Sequence, residues 1–99
     1  MTKEDITSYV KDRLNINNTI SFGENPLTAM VDISNSDSFG VMYSKLDNNK
    51  KLKELEDSTL VTENNTSVIF SDDEYKNLII TLKADYDGDT YQLVVTDNK

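Results

Sequence analysis

Hydrophobic and polar positions alternate most cleanly in the last third of the chain. Leu78, Ile80, Leu82, Ala84 and Tyr86 fall on one side of an extended segment, and Tyr91, Leu93 and Val95 resume that side after Asp87-Gly88. The opposite side carries Thr81, Lys83, Asp85, Thr90, Gln92 and Thr96, interrupted by Ile79 and Val94. A period of two is the mark of a strand with one face buried. Asp-Gly is a preferred pair for a two-residue type I′ turn, in which both residues take positive φ. Pairing outward from that turn sets Tyr86 opposite Asp89, Ala84 opposite Tyr91, Leu82 opposite Leu93 and Ile80 opposite Val95. A slip of one residue would exchange the two faces, so the register is well specified.

The first half reads as one helix and further strands. Thr2 is placed to cap a helix running to Leu14, with Glu4 and Asp5 at its positive end. Ile6, Tyr9, Val10 and Leu14 make a single apolar stripe on it, and Asn15 to Asn18 is a stop. Thr19 to Phe22 reads as a short strand ended by Gly23-Glu24-Asn25-Pro26. Leu27 to Ser34 alternates, and the pattern predicts that Phe39 to Leu46 returns as its hairpin partner across a polar loop at Asn35 to Ser38. Lys50 to Asp57 reads as a loop or two helical turns. Thr59 to Thr62 and Ser67 to Phe70 read as short strands around Glu63-Asn64-Asn65-Thr66. Ser71-Asp72-Asp73-Glu74 has capping-box form, and Tyr75, Leu78, Ile79 and Leu82 continue at helical spacing. The β-branched run Ile79-Ile80-Thr81 favours one helical turn near Asp72 to Tyr75, then a strand. The expectation is a single α+β domain over residues 1–99. In it an N-terminal helix packs on a mostly antiparallel sheet of four to six strands built from hairpins.

Composition narrows the function classes. The 99 residues suffice for one core, with 36% apolar and 28% charged residues. No apolar run is long enough for a signal or membrane segment. Cysteine is absent, which removes disulfides and thiolate metal sites. Asn-x-Ser/Thr patterns such as those at Asn17 and Asn65 carry no weight without a secretory signal. The expected compartment is the cytoplasm of a bacterial host cell, and eleven asparagines with one arginine fit an AT-rich genome. The net charge of −8 argues against direct binding to nucleic acid or an anionic membrane and permits docking to a basic partner.

Catalytic motifs are missing. Histidine is absent, and with it the commonest general base and neutral metal ligand. No serine lies in a Gly-x-Ser-x-Gly elbow. Asp85-Tyr86-Asp87-Gly88-Asp89 alternates carboxylates like a calcium loop, but aligning Gly88 with the loop glycine puts Lys83 first and Val94 last, where ligands are required. No catalytic, cofactor-binding or metal-binding residue is therefore expected, and no cofactor.

What remains is the distribution of acids. Glu54, Glu56, Asp57, Glu63, Asp72, Asp73 and Glu74 follow one another with no lysine or arginine between them, and Asp85, Asp87 and Asp89 come after. Basic grooves cannot distinguish carboxylate from phosphate by charge alone, and Tyr86 is a candidate aromatic anchor beside these acids. On the acidic run and the Asp-Gly hairpin, the chain resembles in type the small acidic inhibitors that phages and mobile elements use against host defence nucleases, including anti-CRISPR and anti-restriction proteins. That resemblance implies a non-enzymatic protein that binds a nuclease such as a CRISPR effector and blocks its nucleic-acid site. The expected contacts are Glu54, Glu56, Asp57, Asp72, Asp73, Glu74, Asp85, Asp87, Asp89 and Tyr86, in a protein expected to be monomeric. The alternative is an assembly protein that self-associates through an exposed edge strand.

Overall fold

A computed structural model describes residues 1–55 and 59–98 of the chain. Thr2 starts the first helix with a reciprocal cap: its hydroxyl accepts the Asp5 N–H at 3.2 Å, and its own N–H donates to the Asp5 carboxylate at 3.0 Å. The helix α1 covers Lys3–Ser8 and widens into a π-helical turn over Tyr9–Arg13, where Leu14 N–H reaches back to the Tyr9 carbonyl. Asn15 then takes a φ of 56° and ends it. Ile6, Tyr9, Val10 and Leu14 are all buried, as the stripe predicts, and Ile16 joins them.

The strands are β1 (Ile20–Gly23), β2 (Thr28–Ile33), β3 (Leu52–Glu54), β4 (Leu60–Val61), β5 (Asn65–Asp72), β6 (Leu78–Asp85) and β7 (Thr90–Asp97). They form one antiparallel sheet in the order β1-β2-β7-β6-β5-β3, with β4 also paired to β5. Seven strands slightly exceed the expected number, and the class is α+β as expected. The predicted register of the last hairpin holds: Ala84 faces Tyr91, Leu82 faces Leu93 and Ile80 faces Val95.

One predicted element is overturned. Phe39 to Leu46 is not a strand but part of the helix α2, Ser36–Asp47. Asn35 is an N-cap, not a hairpin loop residue: its side chain accepts the Ser38 N–H at 2.8 Å. Phe39, Met42, Tyr43 and Leu46 recur at helical spacing and turn toward the core, whereas Val41, which alternation would bury, is 65% exposed. The aromatic side chains decide it. Phe39 meets Tyr91 at 5.8 Å between ring centroids, and Tyr43 meets Phe70 at 6.2 Å. Both aromatic partners lie on strands distant in sequence, so tertiary packing overrides the local alternation and the unfavourable Gly40.

Two smaller expectations change as well. Leu52–Glu54 is a strand where a loop or helix was expected. In place of a helical turn near Asp72 to Tyr75, the chain ends β5 at Asp72 and bends through Asp73 and Glu74 to a turn at Lys76-Asn77. The connection from β2 through α2 to β3 carries the chain under the sheet from one side to the other. Both helices lie on the same face. That face holds Ala29, Val31, Ile33, Val68, Phe70, Leu78, Ile80, Leu82, Ala84, Tyr91, Leu93 and Val95, all buried. The opposite face has no covering layer among the described residues.

Candidate functional site

The tip of the β6–β7 hairpin is built differently from the predicted type I′ turn. Gly88 does not take positive φ; Asp89 does, at 50°. Asp85 organises the loop through its side chain, whose Oδ1 accepts the N–H groups of both Asp87 and Gly88 at 3.1 Å. This is an Asx-type arrangement in a four-residue loop, and it moves the left-handed position to the residue just before β7. Thr90 closes the loop by donating its hydroxyl to the Gly88 carbonyl. Asp87 and Asp89 are left pointing outward with no ion pair among the described residues.

A second turn stands beside the first. Tyr86 N–H donates to the Asn64 carbonyl at 2.8 Å, so the β4–β5 turn, with exposed Glu63, is tied to the hairpin tip. Tyr86 is 48% exposed and stacks edge-on against Tyr91 at 6.1 Å. Glu63, Asp85, Asp87, Asp89 and half-exposed Tyr86 thus share two adjoining turns at one end of the sheet. A shallow cleft of about 310 Å³ lies just below, lined by Asn65, Ser67, Lys83, Thr90 and Gln92 among others.

The other predicted acids go elsewhere. Asp72 sits at the far end of β5, whose seven residue steps at about 3.3 Å place it roughly 23 Å from Asn65 and the hairpin tip. Its side chain is fully buried. Arg13 grips it in bidentate fashion, Nε to Oδ2 at 3.0 Å and Nη2 to Oδ1 at 2.7 Å. Tyr9 donates its hydroxyl at 2.7 Å, and the N–H groups of Glu74 and Tyr75 add two further bonds. Tyr9 and Arg13, four residues apart on this turn, share one face of the helix. Tyr75 stacks on both, at 5.0 Å from the Tyr9 ring and 5.1 Å from the guanidinium.

Electrostatics follow from the geometry. Burial pushes the Asp72 carboxyl up, but the hydrogen bonds from Arg13, Tyr9 and the two backbone groups outweigh it and hold it below the usual carboxylate range. Burial and the bond to Asp72 push the Tyr9 phenol far up. The hydrogen bond to Asp72 raises Arg13 in turn. Asp73 and Glu74 are exposed but lean on the same guanidinium, at 3.4 and 3.1 Å.

The acidic run of the sequence is therefore not one surface. Asp85, Asp87, Asp89 and Tyr86 come together at the tip. Asp72, Asp73 and Glu74 gather around Arg13, with Asp72 committed inside the fold. Glu54 lies exposed on β3, accepting a hydrogen bond from Thr59. Glu56 and Asp57 lie outside the described residues. Sequence reasoning missed Tyr9 and Arg13, although a lone arginine four residues after a tyrosine was a usable signal. Among the described residues no group of acids is placed to hold a metal ion, and no helix is long and apolar enough to cross a membrane. Comparison with known proteins finds no match to a family, a curated protein or a solved structure.

Proposed function

We propose that the chain is a non-catalytic acidic binding protein whose hairpin tip occupies a basic, nucleic-acid-binding surface of a nuclease, in the manner of an anti-CRISPR or anti-restriction inhibitor. The observation that carries this reading is the tip itself. The carboxylates of Glu63, Asp87 and Asp89 project from two adjacent turns with no ion pair among the described residues, on the same tip as half-exposed Tyr86. An aromatic anchor within a field of unpaired charge suits a partner rich in lysine and arginine, where the charges steer and the ring fills a pocket. Asp73 and Glu74, at the other end of β5, contribute less because Arg13 already neutralises part of their charge.

The test is affinity capture of bacterial nucleases by the tagged protein at low and high salt, with DNA and guide-RNA competition, followed by charge reversal. Glu63→Lys with Asp87→Lys leaves the Asp85 cap in place. It is expected to weaken capture at least tenfold and flatten its salt dependence. Capture unchanged by the reversal and by nucleic acid would refute mimicry. One observation favours a second reading, self-assembly through a strand edge: Leu60 and Val61 on β4 are 65% and 66% exposed.

A further inference from the structure

The uncovered face of the sheet has an unusual charge distribution. Two successive rows of side chains cross it from β1 to β5. One is Ser21, Met30, Val94, Thr81 and Ile69, and the other is Gly23, Thr28, Thr96, Ile79 and Ser71. In a chain with 28% charged residues and a net charge of −8, none of these ten positions carries a charge. Met30, Ile79 and Val94 put apolar side chains at its centre, each half-buried. The solvent side of a one-sided antiparallel sheet is ordinarily polar. Within these five strands charge returns in the next row, toward the hairpin tip, where Lys83 and Asp32 flank Gln92, and at the sheet edge Lys53 on β3 extends the second row beyond Ser71.

We propose that this face packs against the same face of a second copy, in a two-fold dimer whose axis runs along β7. That strand is the middle one of β1-β2-β7-β6-β5, so the axis leaves no strand of the five unopposed. Rotation about it sets β6 over the second copy's β2. Lys83 of each copy then faces Asp32 of the other, and both charge pairs form together. Side-chain sizes complement one another in the same arrangement: Met30 lies over Thr81, Ile79 over Thr28, and Ser71 over Gly23, while Val94 meets its own equivalent at the axis. Two sheets packed this way align within about 30° and stand about 10 Å apart. Any axis that left Lys83 over Lys83, or Asp32 over Asp32, would oppose like charges.

The dimensions of the face bound the contact area. Five strands about 4.8 Å wide and three rows about 6.7 Å deep give an area of about 24 by 20 Å. About 1,000 Å² is then buried over both copies, the threshold that a specific interface has to clear and the size of a weak, reversible contact. Because the axis is parallel to the strands, both acidic hairpin tips lie at the same end of the dimer.

Sedimentation velocity from about 1 μM to about 1 mM should show a reversible monomer–dimer equilibrium. Val94→Lys, which puts two ammonium groups face to face on the axis, should weaken it at least tenfold. Lys83→Glu and Asp32→Lys should each weaken it, and the double substitution should restore it. Lys83 and Asp32 are exposed and two strands apart in one copy, so rescue reports a contact between copies, not within one. Amide spectra of each variant check that the sheet is intact. A monomer throughout this range would overturn the proposal. So would a dimer insensitive to Val94→Lys, a double variant no better than the singles, or loss of the dimer on Leu60→Lys at the β4 edge instead.

Discussion

The two ends of β5 use the same residue type for opposite purposes. At one end Asp72 is enclosed, and every bond it accepts comes from a named donor: Tyr9, Arg13 and two backbone N–H groups. At the other end Asp87 and Asp89 project from the hairpin with no cation beside them among the described residues, while Asp85 turns its oxygen inward to hold the loop. The difference lies in what the fold brings to each carboxylate, not in the carboxylates. Asp72 joins the N-terminal helix to the sheet, so its charge serves the fold. The tip acids touch little of the fold, and their charge faces outward. Counting acids along the sequence treats these as one surface, and the structure separates them.

The sharpest way to break the contrast is to remove Asp72. Asp72→Ala strands Arg13 at the edge of the core and leaves the Tyr9 hydroxyl and two N–H groups without their acceptor. A loss of about 3–5 kcal/mol is expected in urea unfolding, as for other broken buried pairs. Asp87→Lys at the opposite end should change stability by no more than about 0.5 kcal/mol, since it removes no internal contact. If the two substitutions cost the same, the distinction between the two ends fails.

Acid titration sharpens the comparison further. Asp72 is held below its usual value in the folded state, so its stabilisation is complete above the unfolded carboxylate value near about 4. It is lost as pH falls through the lower folded value. Urea midpoints measured from neutral pH downward should therefore fall in the wild type and fall less steeply in Asp72→Asn. A variant with Asp87→Asn and Asp89→Asn should keep the wild-type dependence through Asp72. A smaller effect is expected for Tyr9→Phe, about 1 kcal/mol, because Asp72 keeps Arg13 and both backbone donors.

The smallest expected change tests the loop. In a type I′ turn Gly88 would need positive φ, and alanine there would cost about 1 kcal/mol or more. In the loop observed, Asp89 carries the positive φ, and a Cβ on Gly88 would meet Asp85 and Thr90 oxygens no closer than 3.4 Å. Gly88→Ala is therefore expected to alter stability by less than about 0.5 kcal/mol. Thermal unfolding of this one variant separates the two turn geometries.

The helix at Thr2, the stripe Ile6-Tyr9-Val10-Leu14 and the register of the last hairpin were all legible along the chain. Each depends on neighbours a few residues apart or on a period repeated often enough to leave one solution. The helix at Ser36–Asp47 was not, because Phe39, Val41 and Tyr43 also fit a strand. The choice was made by Tyr91 and Phe70, aromatic partners on strands distant in sequence. The same holds for the candidate site. That Asp85, Asp87 and Asp89 share a turn follows from their spacing, but that Glu63 joins them depends on the bond between Tyr86 and Asn64.

Local spacing thus determined the class of the fold, the position of the first helix and the pairing of the strongest hairpin, because helix caps and strand alternation act over a few residues. Tertiary structure alone decided that Asp72 belongs to Arg13 and Tyr9. Those partners lie about sixty residues away, at separations of 59 and 63. A carboxylate's role is set by the cations and N–H donors that reach it, and sequence spacing carries no record of contacts made across that distance.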